Sequence, residues 1–201
     1  MKAIILAAGR GSRMKKLTDD RPKCLTKVRG KTLLEWQLNA LQQAGISEIG
    51  IVTGYRREQL NKRGLVEFHN SRWAETNMVT SLVCAETWLQ TGPCVVSYSD
   101  IFFSSDAVTR LIDIKAEIAV TYDPNWLNLW TKRFTDPLID AETFRLNSDK
   151  SLAEIGKKPH SADEVEGQFM GLLRFTPLGW SEIMRIRSAL MAYEADSMHM
   201  T

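Results

Sequence analysis

Short apolar runs and helical repeats alternate along this 201-residue chain. Ala3 to Ala8 is apolar throughout and of strand length, the pattern of a buried parallel strand. Lys31 to Ala44 places Leu33, Leu34, Leu38 and Leu41 at helical spacing and stops at Gly45. Ile46 to Thr53 predicts a second strand with Gly54 as its breaker. Tyr55 to Lys62 reads as a short polar helix and Leu65 to Phe68 as a third strand. Strands alternating with helices in this way predict an α/β fold of three layers, α/β/α, around a mostly parallel mixed sheet.

Further along, Val79, Leu82, Val83, Ala85 and Leu89 predict a helix over Asn77 to Leu89. Pro93 to Tyr98 is strand-like and ends in Ser99-Asp100. A helix over Ser105 to Ile114 and a strand over Glu117 to Thr121 follow. Glu142 to Leu146 and Ser151 to Ile155 flank Asn147-Ser148-Asp149-Lys150, which predicts a β-hairpin excursion. Gln168 to Phe175 is a last strand. Thr176, as N-cap, and Pro177, at the first helical position, open a helix expected to reach Tyr193. No repeat, low-complexity run or linker divides the chain, so one domain over residues 1–201 is expected.

Composition narrows the classes. The chain is 44% hydrophobic and 25% charged, ordinary for a globular domain with a real core. A net charge of +2 is too small to argue for nucleic acid as a partner. Cys24, Cys84 and Cys94 lack metal-ligand spacing and read as reduced thiols. No segment approaches the ~20 apolar residues of a membrane span. A cytoplasmic location with no membrane partner is therefore the expectation. A homodimer is left open.

The cations are concentrated behind the first strand. Gly9, Gly11 and Ser12 interleave with Arg10, Arg13, Lys15, Lys16, Arg21 and Lys23. Glycine lets backbone N–H groups approach a ligand closely, and successive N–H groups form a concave anion site. A dinucleotide fingerprint would need a third glycine where Met14 stands, and a P-loop would need G-x-x-x-x-G-K-[ST], which is absent. A phosphate-binding loop outside both patterns is the reading, against a merely solvated basic loop.

Two other stretches carry candidate chemistry. Asp100, at the carboxyl end of its strand, is placed by sheet topology on the same edge as the Gly9 loop, where a carboxylate can hold Mg²⁺ against nucleotide phosphates. Its alternative role is to cap the next turn. Asn77 and Ser81, with Asn70 and Thr80, gather near a helix start, either as caps or as groups reading a nucleobase edge. Trp126 and Trp130 are four apart, so on a helix they share a face. They are either core or an aromatic wall for a cation, with Asp123 or another carboxylate, Glu166 among them, supplying charge.

Leu6-Ala7-Ala8-Gly9-Arg10-Gly11-Ser12-Arg13 followed by Arg21-Pro22-Lys23 resembles the signature of the sugar-nucleotidyltransferase-like family, which joins an NTP to a phosphorylated small molecule. With RPKCL, VTGYR, RWAETNMVTSL and SYSD, the chain resembles most its phosphocholine and phosphonate cytidylyltransferase branch. The resemblance implies the nucleotide-diphospho-sugar transferase fold, which is Rossmann-like. It also implies Mg²⁺, CTP and a phosphorylated or phosphonate acceptor such as phosphocholine or 2-aminoethylphosphonate. Leu6, Ala7, Ala8, Gly9, Arg10, Gly11 and Ser12 would cradle the nucleotide. Arg13 and Lys23 would neutralise the triphosphate, and Asp100 would hold the metal. Lys158, in GKKP, would meet the acceptor phosphate, with Tyr122, Asp123, Trp126, Trp130 and Glu166 around the head group. Lys157 stands where sugar-activating members carry glutamate, a departure that argues against a sugar 1-phosphate. The second metal-binding acid of relatives is missing, replaced or lost with a truncated end. That leaves a non-catalytic nucleotide-binding module as the rival from another class, beside a sugar-1-phosphate nucleotidyltransferase within the enzymes.

Overall fold

A computed structural model describes residues 1–11, 18–60 and 64–200. Its packing separates two compact units. The first comprises Met1–Ala119 and Gly171–Met200, and the second Val120–Met170.

The apolar run at the start forms β1 (Lys2–Ala7). A short antiparallel pair, β2 (Lys27–Val28) and β3 (Lys31–Thr32), turns at Arg29 and Gly30, both at positive φ. α1 (Leu33–Gln43) begins at a capping box: Thr32 accepts from the Glu35 amide while Glu35 accepts from the Thr32 amide. β4 (Glu48–Thr53), β5 (Val66–His69), α2 (Met78–Val83), α3 (Glu86–Thr91), β6 (Cys94–Tyr98) and α4 (Ser105–Asp113) follow. The chain leaves the first unit along β7 (Ile118–Asp123). The second unit holds α5 (Trp126–Arg133) and the hairpin of β8 (Phe144–Leu146) and β9 (Leu152–Ile155). The chain returns along β10 (Gln168–Phe175) and finishes with α6 (Pro177–Ser188) and α7 (Ala192–Ser197).

The main sheet runs β5-β4-β1-β6-β10-β7. β1 pairs parallel with β4 and β6, β4 pairs parallel with β5, and β10 runs antiparallel to β6. Strand side chains alternate between faces. Ala3, Ile5, Ala7, Ile49, Ile51 and Val95 pack with Leu34 and Leu41 of α1 and Val108 and Leu111 of α4. On the other face Phe68 meets Trp88 of α3 edge-on, and Phe175 meets Trp180 of α6. The expected α/β/α layering and mixed sheet are what the structure shows. Among the described residues no helix is long and apolar enough to cross a membrane.

Three elements differ from expectation. The helix over Asn77 to Leu89 is two helices, because Cys84 and Ala85 tighten into i→i−3 bonds to Ser81 and Leu82. The helix expected to run to Tyr193 breaks at Ala189. Glu194 draws a new start by accepting from the Met191 amide, a local bond that competes with continuing the first helix. The polar helix after Gly54 is a short 3₁₀ turn, Arg57–Gln59, and Lys62 lies outside the described residues.

Candidate functional site

Position in the sheet selects the site. From β1 the chain builds outward to β4 and β5, then crosses back to the other side of β1 to form β6. The reversal opens a crevice at the carboxyl ends of β1 and β6, where open α/β sheets take ligands. Gly9 leaves β1 there and Asp100 leaves β6.

Lys23 closes the arrangement. Its ammonium donates to the Asp100 carboxylate at 2.5 Å, across 77 residues of sequence. The Lys23 side chain is 15% exposed and that of Asp100 34%, so the pair is partly open to solvent. Gly11 makes this possible. Its φ is +70°, and a Cβ there would overlap Cγ, Cδ and Cε of Lys23. Any L-residue would strain the backbone and push the lysine stem aside. Gly9 has nothing within 4 Å of where its Cβ would lie, so its backbone faces open space.

The turn that carries Asp100 is held from behind by Gln37, which is fully buried on α1. Its amide donates to the Tyr98 carbonyl at 2.9 Å and the Ile101 carbonyl at 2.6 Å, and accepts from Ser97 at 2.9 Å. These bonds bracket Asp100 and fix its direction. One signal for Gln37 lay in the sequence, a polar residue on the apolar face of the helix between Leu34 and Leu41.

The remaining nucleotide candidates are placed as follows. Leu6, Ala7 and Ala8 are buried, and the first two are in register with Tyr98 and Thr53 in the sheet. Arg10 is half-exposed and pairs with Asp19 at 2.9 Å. Ser12 and Arg13 lie outside the described residues. Asn77 is the N-cap of α2, accepting from the Met78 amide. Its backbone N–H donates to the Asp196 carbonyl at 2.7 Å and its amide to the Ser197 carbonyl at 3.2 Å. Ser81 accepts from Asn70 at 3.0 Å. Asp196, one of the late acids, is held by Arg72 at 2.5 Å and Arg187 at 3.6 Å.

The acceptor candidates fall in the second unit. Trp126 is 3% exposed, donates to the Val165 carbonyl at 2.8 Å, and packs with Ala141, Val165, Leu138 and Trp130. It is core and presents no open face. Trp130 donates to the Asp140 carbonyl, and the Arg133 guanidinium lies 5.2 Å from its ring centre. Tyr122 is stacked on Phe144 at 5.0 Å. Asp123 accepts from the Asn125 amide in the turn before α5, and Glu166 accepts from the Leu146 amide. The Lys158 ammonium donates to the carbonyls of Leu138 and Ile139. The six residues are thus tied into the unit's own framework, and the aromatic faces of the tryptophans are taken by core and by arginine.

Among the described residues no group of three or more His, Cys, Asp or Glu could hold a metal. Mg²⁺ asks for less, because it keeps several waters and takes one or two carboxylates together with substrate phosphates. Asp100, a partly exposed carboxylate beside a cationic loop, fits a Mg²⁺ that arrives with its nucleotide.

Comparison with known proteins places the chain in a family. Residues 3–141 match the model of the MobA-like NTP transferase domain. The chain is 40% identical over 194 residues to the CTP:phosphoglutamine cytidylyltransferase of Campylobacter jejuni, covering 92% of this chain and 76% of that protein. It is 36% identical over 111 residues to the 2-aminoethylphosphonate cytidylyltransferase of Lancefieldella rimae, covering 53% and 45%. In fold it is similar to the solved CTP:phosphocholine cytidylyltransferase of Streptococcus pneumoniae, with TM-score 0.67, 24% identity and coverage of 92% and 74%.

Proposed function

The chain belongs to the MobA-like NTP transferase domain family, and from that premise we propose that it transfers CMP from CTP to a phosphorylated or phosphonate small molecule. The acceptor's phosphoryl oxygen attacks the α-phosphorus of CTP, the bond from that phosphorus to the bridging oxygen breaks, and pyrophosphate leaves. A phosphate with its second pKa near 6 is already ionised at neutral pH, so the reaction asks the protein for alignment and charge and not for a general base. Lys23, held at the crevice by Gly11, supplies positive charge for the triphosphate. Bound with the nucleotide and held by Asp100, Mg²⁺ would neutralise charge developing on the phosphate oxygens. Arg13, Asn77 and Ser81 remain proposed nucleotide contacts.

The observation that carries this reading is the meeting of Lys23 and Asp100 at the carboxyl edge of β1 and β6, together with likeness to a cytidylyltransferase over most of the chain. CTP as donor is inferred from the relatives, and a cytoplasmic site of action from the free thiols of Cys24, Cys84 and Cys94. For the acceptor, the second unit favours a head group other than a quaternary ammonium. Trp126 is sealed in core, Trp130 already carries Arg133, and Asp123 and Glu166 already accept backbone amides. We infer a phosphorylated amino-acid amide from the likeness to the Campylobacter relative, whose name carries it.

The test is pyrophosphate release with Mg²⁺ and the four NTPs, each crossed with phosphoglutamine, phosphocholine, 2-aminoethylphosphonate and glucose 1-phosphate. Release confined to CTP, with phosphoglutamine the best acceptor, is expected. Preference for phosphocholine would overturn the acceptor assignment. Nucleotide binding with no release in any combination would make the protein a non-catalytic module.

A further inference from the structure

One helix, α1, carries both halves of the Lys23–Asp100 pair. Lys23 is tied to it through the residues that follow. Cys24 is fully buried in the core cluster that holds Leu34 and Leu41, and the Thr26 carbonyl accepts from the Leu33 amide at 3.0 Å, at the start of the helix. Asp100 is tied to α1 through Gln37. The side-chain nitrogen of Gln37 donates to the Tyr98 carbonyl, two residues before Asp100, and to the Ile101 carbonyl, one residue after it. A single nitrogen thus closes the turn over residues 98–101. The amide is itself oriented by Ser97, whose hydroxyl donates to its oxygen at 2.9 Å. Gln37 is 0% exposed and Ser97 1%, so water does not stand in for any of these bonds. A helix position between Leu34 and Leu41 asks only for an apolar side chain. A buried amide there costs solvation and recovers it only through the bonds it makes. Those bonds all go to the strand end and turn that carry Asp100.

We propose that Gln37 is a positioning residue for the divalent cation: it sets where the Asp100 carboxylate stands against Lys23, and through that the affinity for Mg²⁺ bound with the nucleotide. This rests on the reading of Asp100 as the group that holds Mg²⁺. A carboxylate on a turn already held in one direction has less freedom to lose when the metal arrives. Removing a group that orients a metal ligand lowers metal affinity about ten- to hundredfold. Fully buried behind the turn, Gln37 acts through Asp100 alone.

The experiment compares CTP affinity with Mg²⁺ and in EDTA, by calorimetry, for the wild type, Gln37→Met, Ser97→Ala and Asp100→Asn. The Mg²⁺ concentration for half-maximal pyrophosphate release is measured beside it. In Gln37→Met the gain in affinity that Mg²⁺ brings should shrink about tenfold. The half-maximal Mg²⁺ concentration should rise, and metal-free CTP should bind no more weakly than to wild type. Ser97→Ala leaves both carbonyls paired and removes only the bond that orients the amide, so its gain should shrink about two- to threefold. A gain in Gln37→Met equal to wild type's, with the gain lost in Asp100→Asn, would overturn this proposal alone. So would an equal fall of affinity with and without Mg²⁺, the signature of a merely structural role. Should Gln37→Met not fold, an unchanged gain in Ser97→Ala would overturn it. An Asp100→Asn protein that keeps the full gain would fail the parent reading, and this one with it.

Discussion

Replacing Asp100 by Asn should tighten nucleoside triphosphate binding in the absence of any divalent cation. In the free protein the Lys23 ammonium is spent on the Asp100 carboxylate at 2.5 Å. A triphosphate without metal must break that pair to reach Lys23, and must then sit beside an uncompensated carboxylate. The pair is partly open, with side chains 15% and 34% exposed, so separating it costs about 1 kcal/mol, the upper end of the range for solvent-screened pairs. An anion ~6 Å from the carboxylate is repelled by about 0.7 kcal/mol in bulk water and about 3 kcal/mol at a protein-surface dielectric. The exposure of Asp100 places its share near the lower figure. The sum is about 1–2 kcal/mol, roughly five- to thirtyfold in affinity. Calorimetry with CTP in EDTA at low salt reads it directly. Asp100→Asn should bind metal-free CTP more tightly than wild type, and Lys23→Met should bind it more weakly than either. Equal or weaker binding by Asp100→Asn would refute the reasoning, showing that Lys23 is not the group the triphosphate competes for.

Two further predictions concern stability. Arg174 is 4% exposed and donates to the carbonyls of Leu111, Ile114 and Ala116 at 3.2, 2.6 and 2.6 Å. Arg174→Met strands three acceptors at the end of α4 and should cost about 3–5 kcal/mol by urea unfolding, and a loss below about 1 kcal/mol would contradict the assignment. Glu67 is held below its ordinary carboxyl value of 4.5, chiefly by its hydrogen bond from Arg57 and further by one from Thr53, against the opposing effect of burial. A depressed folded pKa gives stability that is full above the unfolded value and lost as pH falls through the folded one. Glu67→Gln should therefore flatten the decline in stability below about pH 4.5, and a decline as steep as wild type's would show that Glu67 is not responsible.

The parts of the fold that could be read in advance are those set by local rules. The apolar runs of β1, β6 and β10 exceed anything a loop would carry, and Asn147 to Lys150 between alternating segments has few alternatives to a turn. The convergence of Lys23 and Asp100 was legible because sheet topology sends parallel strand ends to one edge, whatever the distance in sequence. Gln37 was not, since its partners lie 60, 61 and 64 residues away and helical periodicity marks it only as a flaw in an apolar face. Trp126 and Trp130 share a helix as their spacing suggests, but spacing is the same for a core pair and for an open wall. Burial decided between them. The breaks at Cys84 and Ala189 depend on local bonds such as that from Met191 to Glu194, which a pattern of apolar residues does not register.

The first unit is assembled from two separated stretches of chain, with the second unit made between them. β6 therefore emerges from the ribosome with β1 available on one side and nothing on the other. Its antiparallel neighbour β10 follows only after about 70 more residues, some 4–14 seconds at ordinary rates of synthesis. Throughout that interval the strand leading to Asp100 has a bare edge of unpaired backbone N–H and C=O groups, the kind that pairs with stray chains. The nascent protein is most exposed to misassociation while the centre of its own sheet is waiting for a partner.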